Sequence, residues 1–109
     1  MRRFGQTLGL RAEDLDRYRS HHARIWPEIA AAIETAGIRN YSIFQRAGQL
    51  FAYYEYVGPD SEYEARMTAL AAAPRMREWW DLMEPMQIPD PDRPEGTWWS
   101  DMEEVFHCD

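Results

Sequence analysis

The stretch "IRNYSIFQRAGQLFAYYEYVG", residues 38–58, constrains the fold more than any other. It holds two strand-like runs, about 38–46 and 49–57, joined at "AGQ". Two β-prone runs separated by a short glycine-containing joint read as a β-hairpin. Side chains alternate along a strand, so Tyr41 and Ile43 are expected on one face of the first run. Phe51, Tyr53, Glu55 and Val57 are expected on one face of the second. A two-stranded hairpin is at best marginally stable in water, so its flanks must cover it.

The flanks have the right periods. Residues 3–10 alternate as a strand with Phe4, Leu8 and Leu10 on one side, although Gly5 and Gly9 weaken it. A helical region then runs from Glu13 or Asp14 to about Ala36. Leu15, Tyr18, His22, Trp26, Ile29 and Ile33 recur every three or four residues and form one stripe. Pro27 interrupts the backbone ladder, so the helix kinks or restarts there, and Gly37 stands where a C-cap belongs.

After the hairpin, Pro59, Asp60 and Ser61 mark a loop and a helix start. "SEYEARMTALAAA" is rich in helix formers. Pro74 opens a second piece with Met76, either Trp79 or Trp80, and Met83 on its apolar side; Pro85 ends it. The segment "PMQIPDPDRPEG" reads as a long, stiff loop because of its prolines. Loops of that length in small domains are often functional. A last strand is expected around 100–107.

The resulting order, β-α-β-β-α-β, implies an α+β, ferredoxin-like fold with helices on one face of an antiparallel sheet. With 109 residues and 45% hydrophobic content, one domain over 1–109 is expected. The uncovered face of such a sheet calls for a second copy of the chain, hence a homodimer.

The net charge of −7 and the lack of a basic patch argue against nucleic acid, anionic membrane or a heavily phosphorylated substrate. No run is long and apolar enough for a membrane helix or a signal peptide. The single cysteine, Cys108, excludes an intrachain disulfide and a multi-thiolate zinc site, and a reducing cytoplasm is the expected compartment. No metal or cofactor is implied, since metal, nucleotide, dinucleotide and serine-hydrolase motifs are all missing.

The chemistry-bearing candidate is "YRSHHARIWPE", residues 18–28. His22 lies four residues after Tyr18 and four before Trp26, so a regular helix would point all three the same way. Spacing alone leaves two readings, hydrogen-bonded packing or a group titrating near neutrality in a pocket. His21 sits about 100° round the helix, unsuited to sharing a metal with His22.

Taken together, "YRSHHARIWPE", "NYSIF" at 40–44, "REWWDLM" at 77–83 and "EEVF" at 103–106 resemble the L-rhamnose mutarotase family across almost the whole chain. His21 departs from the pattern where a relative can carry Arg, and the 87–96 loop keeps chiefly Pro91-Asp92. The resemblance implies a dimeric α+β barrel of ferredoxin-like subunits and interconversion of the α and β anomers of an unphosphorylated monosaccharide. It implies His22 as proton donor, and Tyr18, Tyr41, Trp79 and Trp80 as sugar contacts. L-fucose or another 6-deoxy-hexose is an alternative substrate. An oxygenase of the same barrel type and a non-catalytic sugar-binding module are alternative functions.

Overall fold

The computed structural model describes residues 1–109. Its helical and extended elements are β1 (Arg2–Leu10), α1 (Leu15–Ala23), α2 (Pro27–Thr35), β2 (Ile38–Arg46), β3 (Gln49–Tyr56), α3 (Tyr63–Ala72), α4 (Pro74–Met83), β4 (Gln87–Ile88) and β5 (Ser100–Met102). Short 3-10 turns precede α1 and α3 and follow α4.

β1 is the central strand. It pairs antiparallel with β3 from Arg2↔Tyr56 to Gly9↔Gln49, and β3 pairs antiparallel with β2. The sheet order β2-β3-β1-β4, with β5 also on β1, is the ferredoxin-like order expected from the alternating periods. The hairpin turn is Ala47-Gly48. Both residues have positive φ, 51° and 79°, which matches the twist of the strands it joins.

Even-numbered side chains of β1 and β3 point toward the helices. Leu8, Leu50 and Tyr56 are fully buried there, and Ile29 from α2 joins the two leucines in the core. The two leucines and Ile29 each stabilise the fold by about 1.5–3 kcal/mol. Tyr56 satisfies its hydroxyl by donating to the Pro59 carbonyl at 2.7 Å. The opposite face, carrying Phe51, Tyr53, Glu55 and Val57, is uncovered, and Phe51 and Val57 are exposed.

The helical region expected over residues 13–36 restarts at Pro27, as its proline implies, and forms two helices. Arg24 leaves the helical region at φ −129°, ψ 50°, and Trp26 is extended at φ −64°, ψ 134°. A residue before proline is pushed out of the helical region by the ring, and Pro27 then starts α2 at its first position.

Two expectations need correction. The 85–96 segment is not wholly irregular: Gln87 and Ile88 form β4 against Leu10 and Gly9. The last strand is shorter than residues 100–107, because only Ser100–Met102 pairs, with Thr7, Gln6 and Gly5. β4 and β5 are one fourth strand interrupted opposite Leu8, where residues 89–99 leave the sheet and return. Gly9 permits this arrangement, since a Cβ there would sit 3.1 Å from the Ile88 carbonyl and 3.2 Å from its Cβ. Beyond β5 the chain is exposed and held by Glu104, which accepts from Arg3 at 3.0 Å.

Candidate active site

An open cavity of about 340 Å³ lies between α1, α4 and the β2 edge of the sheet. Its volume is at the small end of the ligand-pocket range, suited to a monosaccharide rather than a large cofactor. α1 contributes Leu15, Tyr18, Arg19 and His22; β2 contributes Tyr41 and Ile43; α4 contributes Trp79. No carboxylate lines it, although the chain carries 19 acids against 12 basic residues.

The i, i+4 spacing of Tyr18 and His22 stacks their rings with centroids 4.3 Å apart. The same spacing brings His22 Nδ1 within 2.8 Å of the Tyr18 carbonyl. A carbonyl only accepts, so Nδ1 carries the proton and neutral His22 keeps a free lone pair on Nε2. Burial lowers the His22 pKa below its ordinary value; the bond to the Tyr18 carbonyl opposes that shift, and the charge of His21 adds to it. Trp79 meets the His22 ring edge-on at 5.4 Å and is braced by Trp26 at 5.2 Å. Arg75 lies 3.8 Å over the far ring, Trp26, and locks this wall.

Tyr18 is 5% exposed. Burial pushes its hydroxyl up to about 12, against the lowering effect of an N–H donated by Gln87 Nε2 at 3.1 Å. Tyr41 shows part of its ring to solvent, but desolvation of its hydroxyl, with a smaller effect of Tyr18, pushes it too up to about 12. Both phenols therefore stay protonated at neutral pH and can donate.

Tyr41 reaches the cavity because of a β-bulge. Arg39 pairs with Glu55 and Ser42 with Tyr53, so β2 has one residue more than β3 over this span. Asn40 and Tyr41 together stand opposite Tyr54; Asn40 has φ 53°, and its side chain donates to Glu55 at 2.8 Å. Without the bulge, simple alternation from the buried Ile38 would send Tyr41 and Ile43 to the uncovered face. Asparagine tolerates the left-handed conformation better than most residues, which is why it stands here.

Four of the five expected site residues, His22, Tyr18, Tyr41 and Trp79, thus surround one cavity. Trp80 does not line it. Successive helix residues diverge by about 100°, so only one of the two tryptophans can face the cavity. Trp80 packs against the outside of the core, with Arg77 5.9 Å from its ring. His21 also stays outside, edge-on to Trp79 at 6.4 Å. Arg19, Asn40 and Gln87 were not expected. Asn40 and Gln87 depend on strand pairing that local sequence does not encode; Arg19 follows from the α1 stripe being one position wider than its apolar residues. No three His, Cys, Asp or Glu side chains converge as metal ligands.

Residues 3–108 match the profile of the L-rhamnose mutarotase family. The chain belongs to this family. It is 38% identical to the L-rhamnose mutarotase of Lactiplantibacillus plantarum, over all of both chains. The crystal structure of L-rhamnose mutarotase from Formosa agariphila superimposes with a TM-score of 0.78, at 25% identity and with both chains fully covered. Tetracenomycin F2 cyclase of Streptomyces glaucescens, a type-II polyketide cyclase, also covers the whole chain at a TM-score of 0.72 but only 12% identity. That second likeness is one of fold alone, and it shows that the L-rhamnose mutarotase scaffold also serves other chemistry.

Proposed function

We propose that this chain is an isomerase that interconverts the anomers of L-rhamnose with His22 as its proton-transfer group. The observation that carries the reading is the convergence of a free His22 Nε2, two protonated phenols and a tryptophan wall on one cavity.

The C–H side of the pyranose packs on Trp79, and Tyr18 and Tyr41 donate to sugar oxygens. The His22 imidazolium donates through Nε2 to the ring oxygen as the C1–O5 bond breaks. Water on the open side takes the proton from the anomeric hydroxyl, leaving the free aldehyde. Rotation about C1–C2 presents the other carbonyl face. Ring closure returns each proton along the same routes, so His22 acts as acid in one direction and base in the other. General acid–base catalysis supplies about 10²–10⁴-fold, which suits a reaction that already proceeds unaided.

The uncovered face of the sheet is assigned to a second copy of the chain, closing a dimeric α+β barrel. Phe51 and Met102 supply its apolar contacts, and Gly5, lacking a side chain, allows close approach. The lone, exposed thiol of Cys108 fits the reducing cytoplasm. Exchange NMR on L-rhamnose, L-fucose and other 6-deoxy-hexoses tests activity and preference together. The reading requires acceleration of anomer exchange, greatest for L-rhamnose, and fails if no sugar exchanges faster than in buffer.

A further inference from the structure

The Tyr18 hydroxyl does not end its connections at Gln87. Gln87 Oε1 accepts from Trp98 Nε1 at 2.8 Å, while Gln87 Nε2 donates to the Tyr18 oxygen at 3.1 Å. An indole nitrogen can only donate. Trp98 therefore holds the oxygen end of the Gln87 amide toward itself and the nitrogen end toward Tyr18. The Tyr18 oxygen is then an acceptor on that side, and no protein acceptor meets its proton.

We infer that Gln87 and Trp98 are positioning residues that aim the Tyr18 O–H proton into the cavity. Tyr18 is thereby a donor to whatever fills it, and its partner must be an oxygen lone pair. Were the amide reversed, Tyr18 would donate to Gln87 and offer the sugar a lone pair instead. Gln87 precedes the interruption of the fourth strand, and Trp98 lies near its end. Gln87 sits in β4 against Leu10, and Trp98 is carried back by the 89–99 excursion. The excursion thus reaches Tyr18 through two hydrogen bonds without lining the cavity.

This inference rests on Tyr18 contacting the sugar, and its test separates the two. Gln87→Glu keeps the shape and the acceptor for Trp98, but offers Tyr18 a second acceptor and turns its proton away. Gln87→Met keeps the approximate volume, abandons Trp98 and leaves the Tyr18 proton free. At about pH 8 the new carboxylate is ionised. There, Gln87→Glu is expected to lower kcat/KM for L-rhamnose by roughly tenfold or more, the worth of one lost hydrogen bond and a misdirected lone pair. The loss is expected mainly in KM, since Tyr18 binds ground and transition states alike. Gln87→Met is expected to lose clearly less kcat/KM than Gln87→Glu, because its Tyr18 proton is no longer aimed but can still reach the ligand. A purely space-filling role for Gln87 reverses that order, and the reversed order overturns the inference.

A second readout needs no catalysis. In the unliganded parent protein, NOEs should connect the Gln87 side-chain amide protons to the Tyr18 ring. NOEs from those protons to the Trp98 indole proton instead would also overturn it, whether or not the protein accelerates anomer exchange.

Discussion

His22 Nδ1 lies 2.8 Å from the backbone carbonyl of Tyr18, one helical turn earlier. That contact couples helix geometry to chemistry, because a hydrogen bond inherent to the i, i+4 spacing leaves Nε2 as the reactive nitrogen. Since burial lowers the His22 pKa, ¹⁵N and ¹H NMR titration should find it below the ordinary 6.5, with the neutral ring protonated on Nδ1. The imidazolium is the donor, so the enzymatic exchange rate should rise as pH falls toward that pKa and level off beneath it. The stability effect has the opposite sign. A depressed folded-state pKa contributes stability above about 6.5; this falls away as pH drops and is gone below the folded pKa. A rate that climbs through neutrality with rising pH would contradict the donor role.

Adjacent tryptophans on α4 should behave differently. Trp79 is 6% exposed and braces both Trp26 and His22. Trp79→Ala should cost about 3–5 kcal/mol in urea unfolding, the usual range for a buried aromatic, and Trp79→Phe should raise KM while preserving the fold. Trp80→Ala should cost less, since its ring is only partly buried. Equal stability losses would mean that the two rings share the core.

At the bulge, Asn40→Gly should be nearly neutral in stability, and Asn40→Val should cost about 1–3 kcal/mol, because a β-branched residue strains at φ 53°. The valine variant should also weaken sugar binding by displacing Tyr41. Urea titration and tryptophan-fluorescence binding read the two effects separately.

Phe51 is 41% exposed on the uncovered face and does not line the cavity. Sedimentation velocity should find a dimer for the parent protein and a monomer for Phe51→Asp. A monomeric parent would leave that face without its proposed partner.

The hairpin, the two-part helix at Pro27 and the inward stripe from Leu15 to Ile33 are all legible in the sequence, because each is written in local periodicity and proline chemistry. His22 and Tyr18 come with the stripe. What stays hidden depends on non-local pairing. Tyr41 faces the cavity only through the bulge that β3 imposes on β2. Gln87 lies in a proline-rich run that becomes strand only because the edge of β1 offers Leu10 and Gly9 as partners. The fourth strand stops at Met102, opposite Gly5, although β1 continues to Arg2. The choice between Trp79 and Trp80 needed the phase of α4, which adjacent apolar residues leave ambiguous.

The central claim is that His22 moves the proton that opens and closes the sugar ring. Saturation-transfer NMR on L-rhamnose, with parent protein and His22→Ala at equal concentration near neutral pH, tests it most directly. The parent should accelerate α/β exchange, and the variant should lose roughly 10²-fold or more of that acceleration while keeping a cooperative thermal melt. A folded His22→Ala protein with the parent's exchange rate would contradict the account.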